Sequence, residues 1–237
     1  MEALLLAGGK GERLGDVAGG RPKPLVPVAG HPLAAYAIGR LVEAGVDRVI
    51  VSCAAGDEPL FEARLAGLGA EIVAVGEPEP LGRGGGLRFA AAALTGGTPV
   101  LALNGDELLD VDLVALLSFH RDRGGAATIT VAPMPSAFGV VELGDQDVVT
   151  AFAEAGRLPQ WANAGLYVLE EEAIERLPNR GDHERSTFPA LAAEGRLFAF
   201  RHEGVWLTVN TPKDLRGAEE FLEHHPDWRP PRFEEVR

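Results

Sequence analysis

The 237-residue sequence predicts an α/β fold, doubly wound around a mainly parallel mixed sheet. Two observations carry that expectation. Up to residue 125, short apolar β-type runs alternate with stretches whose apolar residues recur at three- and four-residue steps. The first apolar run, Ala3-Leu4-Leu5-Leu6, passes straight into the glycine-rich turn Gly8-Gly9-Lys10-Gly11, the kind of strand-to-turn junction where such sheets bind ligands.

Residues 3–6 form the first expected strand, followed by a Gly/Pro-rich loop to Pro24. Residues 32–44 carry Leu33, Tyr36, Ala37, Arg40, Leu41 and Ala44 on one helical face, and Gly45 stops the helix. Strands are expected at 47–53, 71–75 and 99–103, and helices at 58–68, 86–94 and 111–122, with Asp110 or Asp112 capping the last. After Gly125 the rhythm changes. Short strands are expected at 127–132, 139–143, 148–152 and 163–169, helices at 170–177 and 187–193, and extended pieces at 197–200 and 205–207. A last helix opens at Pro212, a residue suited to a first turn. No Pro/Ser-rich linker divides the chain. Residues 1–223 therefore read as one domain, with 126–223 a lid or a substrate-side extension of the sheet begun in 1–125. Residues 224–237, with Pro226, Pro230 and Pro231, read as a surface tail.

Twenty-two Lys+Arg against 35 Asp+Glu give a formal net charge of −13. Such a chain repels phosphate backbones, which excludes general nucleic-acid and anionic-membrane binding. With 46% hydrophobic and 24% charged residues it can bury a sizeable core. No stretch approaches the roughly 18 to 20 apolar residues of a membrane span. The N-terminal apolar run is too short, and lacks the basic flank, for a signal peptide. One cysteine, Cys53, permits no internal disulfide and fits a core position in a reducing compartment. A cytoplasmic protein is expected. Against this acidic average, the first thirty residues hold Lys10, Arg13, Arg21 and Lys23 against only Glu2, Glu12 and Asp16. This weakly positive island suits a small anion.

The segment Leu6-Ala7-Gly8-Gly9-Lys10-Gly11-Glu12-Arg13-Leu14 supplies the means to hold it. A strand that runs into glycines can curl its backbone N–H groups around a phosphate, because no Cβ blocks the approach. Arg13 and Lys23 add full charges where the backbone supplies partial ones. The segment is not a Walker A loop, since Gly11 follows Lys10, nor a dinucleotide fingerprint, since Leu14 replaces the third glycine. Asp106 stands just past the C-terminal end of the buried strand Val100-Leu101-Ala102-Leu103, facing the expected crevice. Its hard oxygens suit Mg²⁺, which binds through one or two carboxylates plus substrate phosphates. The six histidines show no metal-ligand spacing beyond the tail pair His224-His225, and no serine lies in a nucleophile elbow.

Leu-Ala-Gly-Gly-Lys-Gly-Glu-Arg-Leu, followed by Arg21-Pro22-Lys23-Pro24-Leu25, resembles the opening of the sugar-1-phosphate nucleotidylyltransferases, the NDP-sugar pyrophosphorylases. The resemblance continues in order at Pro80 to Leu87, Leu103-Asn104-Gly105-Asp106, Phe138 to Glu142, Asn163 to Leu169 and Trp206 to Leu215. It implies a Rossmann-like fold of the nucleotide-diphospho-sugar transferase type, with a nucleotide-binding half over 1–125 and a sugar-binding half over 126–223. It implies Mg²⁺ as cofactor, and an NTP and a sugar-1-phosphate as substrates. It assigns catalysis to Arg13, Lys23 and Asp106, and nucleotide binding to Ala7, Gly8, Gly9, Lys10, Gly11, Gly82 and Gly85. In the Gly82–Gly86 run, small residues would let the base approach the backbone. Asn104, Gly139, Glu154 and Asn163 fall where the family holds the sugar.

Two departures bear on chemistry. The family's Trp-x-Asp-x-Gly-Thr-Pro is here Trp206-Leu207-Thr208-Val209-Asn210-Thr211-Pro212, so Thr208 replaces the second metal-binding aspartate and Asn210 offers a carbonyl oxygen. The second metal ligand is Asn210 or Thr208. The family's Glu-Lys-Pro becomes Glu154-Ala155-Gly156, removing a cation near the sugar phosphate. The expected function is nucleotidyl transfer from an NTP to a sugar-1-phosphate. The alternatives are a nucleotidyltransferase-like binding protein, or transfer to a non-sugar phosphate. Lys-Gly-Glu-Arg and Gly-Gly-Gly-Leu resemble N-acetylmuramate-1-phosphate uridylyltransferases, whereas the Asn-Gly-Asp segment and Gly-Val-Val-Glu-Leu resemble heptose- and mannose-1-phosphate guanylyltransferases. Base and sugar stay open.

Overall fold

The computed structural model describes residues 1–9, 12–136, 138–154, 156–228 and 230. In chain order the elements begin with β1 (Glu2–Leu6), β2 (Pro27–Val28), β3 (His31–Pro32), α1 (Leu33–Glu43), β4 (Arg48–Ala54), α2 (Glu58–Leu65) and β5 (Glu71–Glu77). Next come α3 (Gly82–Ala91), β6 (Val100–Asn104), β7 (Glu107–Leu109), α4 (Leu113–Arg123), β8 (Ala127–Pro135), β9 (Val140–Leu143) and β10 (Val149–Ala153). The chain continues through β11 (Arg157–Leu169), α5 (Glu171–Glu175), α6 (Thr187–Ala193), β12 (Leu197–Arg201), β13 (Trp206–Thr208) and α7 (Pro212–His224).

The main sheet runs β12-β8-β11-β6-β1-β4-β5. Strands β6, β1, β4 and β5 are mutually parallel, and β12 is parallel to β8. Strand β11 runs antiparallel to both its neighbours, β6 and β8. The expected mainly parallel mixed sheet is therefore present, and strands from both sequence halves share it.

Helices cover both faces, which is why the central strands read as unbroken apolar runs. Successive side chains of a strand point to opposite faces. Leu5, Val51 and Leu103 accordingly pack with Ala34, Ile38 and Leu41 of α1 and Phe61 and Leu65 of α2. Their neighbours Leu4, Ile50 and Ala102 pack with Leu87 of α3, Ala173 of α5 and Phe188 and Leu191 of α6. Each fully buried leucine contributes roughly 1.5–3 kcal/mol relative to exposure. Cys53 lies in the first of these layers, and burial pushes its thiol up to about 12.

A third apolar cluster joins Leu14, Val28, Leu33 and Tyr36 to Leu215, Ala218 and Leu222 of α7. Trp228 belongs to it, only 8% exposed, with Arg40 over its ring. The expected surface tail is thus corrected at Trp228: a short helical turn, Pro226–Trp228, returns the indole to the core. Residues 229 and 231–237 lie outside the described residues.

One local expectation also needs correction, and one strand was not expected. Helix α3 begins at Gly82, not at Gly86. Strand β7 follows Asp106 directly and pairs with β13, in a two-stranded ribbon that places Thr208 opposite Glu107. Three residues are too few to show a period. Of the two candidate caps of α4, Asp112 accepts the Ala115 N–H at 2.9 Å, whereas Asp110 accepts the Val205 N–H. No described helix is long and apolar enough to cross a membrane.

Candidate active site at the switch point of the sheet

Strand order reverses between β1 and β6, and their C-terminal ends lie side by side, Leu6 opposite Asn104. In open α/β sheets this crevice takes the ligand. A cavity of about 600 Å³ opens there. Ala7, Gly8 and Gly9 line it from the end of β1, and Asn104, Asp106 and Glu107 from the end of β6. The two strand exits are tied together, because Gly105 donates its N–H to the Leu6 carbonyl at 3.0 Å. Lys10, Gly11 and the Arg13 side chain lie outside the described part of the structure.

Lys23 enters on a tight turn, Lys23–Leu25, preset by Pro22 and Pro24. It is 8% exposed, unusual burial for a lysine unless it is paired. Its ammonium donates to Asp106 Oδ2 at 2.5 Å and to Asn210 Oδ1 at 2.7 Å. Asn210 is held by the start of α7. The Asp214 carboxylate accepts the N–H groups of Asn210 at 3.0 Å and Thr211 at 2.8 Å, while Thr211 Oγ1 accepts from Asp214 N. This capping box anchors the asparagine. Asn210 is among the residues lining the cavity and Thr208 is not; Thr208 lies opposite Glu107 on β13. Of the two candidate second ligands, Asn210 is the one beside Asp106.

The fit of a divalent ion can be judged from these donors. Two hard oxygens, one anionic and one neutral, converge on a single cation position, the one the ammonium takes. That matches Mg²⁺, which uses one or two protein oxygens and completes its shell with phosphates and water. Among the described residues no group of three His, Cys, Asp or Glu side chains could hold a metal by itself.

Glu107 is buried beside this cluster. Burial pushes its carboxyl up to about 8, the Asp106 charge adds to the rise, and hydrogen bonds from Asn104 Nδ2 and Trp206 Nε1 oppose it. Gly165, at φ +70°, closes over these groups. An added Cβ would fall 2.5 Å from Glu107 Oε2 and closer still to Asn104 Nδ2.

The glycine run plays another part than expected. Gly82 lines the cavity, but Gly84 and Gly85 face the loop after α5. Their N–H groups bond the Gly181 carbonyl at 2.9 and 3.3 Å. A Cβ on Gly84 would meet His183 N at 2.7 Å, and one on Gly85 would meet Asn179 O at 2.8 Å. These glycines admit a second stretch of backbone. Gly86 instead leaves room for Glu77, whose carboxylate lines the cavity and accepts from Ser52 Oγ at 2.7 Å and Leu81 N at 2.9 Å.

In the second half of the chain, Asn163 donates to Glu184 at 2.8 Å and Tyr167 Oη at 2.9 Å, and is not among the residues lining the cavity. Gly139 and Glu154 lie on or beside the exposed β9–β10 hairpin, not among the described residues lining the cavity. Sequence reasoning missed Glu77, Arg83, Glu107 and Glu184. Only Arg83 left a signal, as a cation inside a glycine run.

A family model described as nucleotidyl transferase matches residues 2–225. A mannose-1-phosphate guanylyltransferase of Mycobacterium tuberculosis is 36% identical over 234 residues, covering 94% of this chain and 65% of that protein. The catalytic subunit beta of the mannose-1-phosphate guanylyltransferase of Xenopus tropicalis is 33% identical over 243 residues, covering 96% of this chain and 68% of that protein. The chain thus spans about two thirds of the length of these relatives. Among solved structures, HddC from Yersinia pseudotuberculosis superposes with a TM-score of 0.73 at 24% identity, covering 93% of this chain and 99% of that one. HddC has also been solved with GMP-PN. A putative glucose-1-phosphate thymidylyltransferase from Bacillus anthracis superposes with a TM-score of 0.75 at 17% identity, over 93% and 94% of the two chains. The fold is that of the nucleotide-diphospho-sugar transferases.

Proposed function

The chain belongs to the nucleotidyl transferase family, and on that premise we propose that it makes an NDP-sugar from an NTP and a sugar-1-phosphate, with Mg²⁺, in the cytoplasm. An oxygen of the sugar phosphate attacks the α-phosphorus. The bond from the α-phosphorus to its bridging oxygen breaks, and pyrophosphate leaves with that oxygen. No covalent enzyme intermediate is required, because the substrate phosphate is the nucleophile. The observation that supports this reading most is the meeting of Lys23, Asp106 and Asn210 at the mouth of the glycine turn.

In this reading residues 1–125 hold the nucleotide and 126–223 the sugar phosphate. The Ala7–Gly8–Gly9 backbone, continuing through Lys10 and Gly11, cradles the triphosphate, and Gly82 borders the base side, whereas Gly85 is covered by the backbone of residues 179–181. Arg13 and Lys23 neutralise the reacting phosphates, which is how phosphoryl-transfer enzymes do most of their work. Asp106 and Asn210 hold the Mg²⁺, which when bound offsets charge on the triphosphate. Asn104, which lines the cavity, serves the sugar, and Asn163 supports the cavity wall through Glu184, whereas Gly139 and Glu154 lie on or beside the exposed hairpin.

The test is a panel of four NTPs against several sugar-1-phosphates, read by pyrophosphate release. GTP with mannose-1-phosphate heads it, because those are the substrates in the names of the Mycobacterium and Xenopus relatives. Product from one pair supports the reading. Tight Mg·NTP binding in calorimetry without product from any pair overturns transfer and leaves a binding protein.

A further inference from the structure

We infer that Lys23 is a displaceable stand-in for the metal ion, so that metal binding itself releases this lysine toward the nucleotide. The inference rests on the nucleotidyl-transfer reading only in naming the metal and the phosphates as the competing partners. Its geometry is independent of that reading.

Asp106 Oδ2 and Asn210 Oδ1, the two oxygens suited to a divalent ion, both accept from the same nitrogen, Lys23 Nζ, at 2.5 and 2.7 Å. Mg²⁺ binds oxygen at about 2.0–2.1 Å. An ion bound to both oxygens would therefore occupy nearly the position of the ammonium. Two cations cannot share it: a +1 and a +2 charge some 3 Å apart repel strongly in a partly desolvated cleft. Occupancy is exclusive.

Around this position, Asp106 supplies one negative charge and Asn210 none, because Thr208, on β13, does not bring a second carboxylate. One ammonium balances the Asp106 carboxylate it contacts. A divalent ion overcompensates Asp106 and needs further anionic ligands, which a triphosphate brings. The ammonium expelled at that moment sits at the end of a long, flexible stem. From the Lys23–Leu25 turn it faces the same cavity as Gly8 and Gly9. Metal arrival and lysine deployment thus become one event, and the lysine cannot commit to phosphates while the metal position is vacant.

The chain has three lysines, Lys10, Lys23 and Lys213, and Lys213 is exposed on α7. In the full-length protein without nucleotide, amine acetylation followed by peptide mass spectrometry reads Lys23 against Lys213 as an internal reference. The expected result is slow labelling of Lys23 without metal, rising about tenfold on saturation with Mn²⁺, and no such rise in Asp106→Asn. In parallel, Lys23→Met keeps the stem and removes the charge. Calorimetry should show it binding Mn²⁺ about tenfold more tightly than the wild type. Lys23 labelling that ignores Mn²⁺ overturns the inference, and so does a folded Lys23→Met with unchanged or weaker Mn²⁺ affinity. If Lys23→Met does not fold, the labelling result alone decides. Neither readout involves turnover, so a failed transfer assay and a failed lysine release are distinct outcomes.

Discussion

The guanidinium of Arg83 meets the carboxylate of Glu184 through two parallel hydrogen bonds, Nη1 to Oε1 at 2.9 Å and Nη2 to Oε2 at 2.8 Å. Arg83 lies in the first turn of α3 and lines the cavity, while Glu184 also accepts from Asn163. Glu184 therefore ties a cation of α3 to an amide of β11, and Asp182 Oδ2 accepts a further hydrogen bond from Arg83 Nη2 at 2.5 Å. Glu184→Gln keeps the shape but loses the charge-assisted fork. For a partly exposed pair this is worth about 1 kcal/mol. The expected outcome is a rise of about fivefold in KM for either substrate, with kcat changed less than twofold. Steady-state kinetics checks it, and an unchanged KM for both substrates would show the bridge to be structural only.

Asp106→Asn and Lys23→Ala each remove one charge from the reacting centre. Loss of one well-placed transition-state group costs on the order of a hundred- to a thousandfold in kcat. Pyrophosphate release by purified variants with wild-type melting behaviour is the measurement. Turnover within tenfold of wild type in either variant would remove that residue from the proposed mechanism.

Gly165→Ala should be far more damaging than Gly45→Ala. Both glycines have positive φ, +70° and +86°, but an added Cβ at Gly45 meets nothing within 4 Å, whereas at Gly165 it strikes Asn104 and Glu107. Backbone strain alone costs about 1 kcal/mol or slightly more. Denaturant unfolding should give Gly45→Ala that cost and Gly165→Ala at least twice as much, with activity also lost as the two side chains move. Equal destabilisation of the two variants would refute the crowding argument.

His183 makes the protein acid-sensitive. Both ring nitrogens are buried without a hydrogen-bond partner, between the rings of Tyr167 and Phe188. Burial holds its pKa down at about 4 from 6.5, against an opposing pull from Asp182. The unfolded chain takes up a proton near 6.5 and the folded one only near 4. The His183 contribution to stability is therefore fully present above pH 6.5, falls by about 3 kcal/mol towards pH 4 and levels off below. His183→Phe removes this contribution and suits the aromatic cluster. Unfolding curves for the two proteins should agree in slope near pH 7.5 and diverge between pH 6.5 and 4. Parallel pH profiles throughout would count against a neutral His183.

Trp228→Ala tests whether the residues after α7 belong to the core. The lost indole contacts Phe221 edge-on and carries Arg40 over its face. Truncating a buried tryptophan costs about 3 kcal/mol or more. A melting temperature unchanged within about 1 °C would return the segment to the surface.

The layered sheet was legible because burial on both faces leaves a crude imprint: uninterrupted apolar runs such as residues 3–6 and 100–103, separated by amphipathic helices. Lys23 and Asp106 were legible for a related reason, since charged residues directly after such strands or glycine turns have few structural uses. Glu107 and Glu184 were not. Their importance comes from partners dozens of residues away, Trp206 for one and Arg83 and Asn163 for the other, and no local period encodes those meetings. The glycines of α3 show the opposite failure. Their smallness was evident, but whether it admits a base, a carboxylate or the backbone of residues 179–183 is decided by what folds against them.

The asparagine that completes the Lys23–Asp106 cluster stands 187 positions after that lysine and is anchored by Asp214 at the start of α7. During synthesis, the glycine turn, Lys23 and Asp106 all leave the ribosome long before Asn210 does. A nascent chain that has emerged only through Asp106 carries one of the two oxygens that accept from Lys23. The cluster closes only once residue 214 has emerged from the exit tunnel. The pairing of Asp106 with Asn210 around the Lys23 ammonium is therefore incomplete in any nascent chain that ends before Asn210.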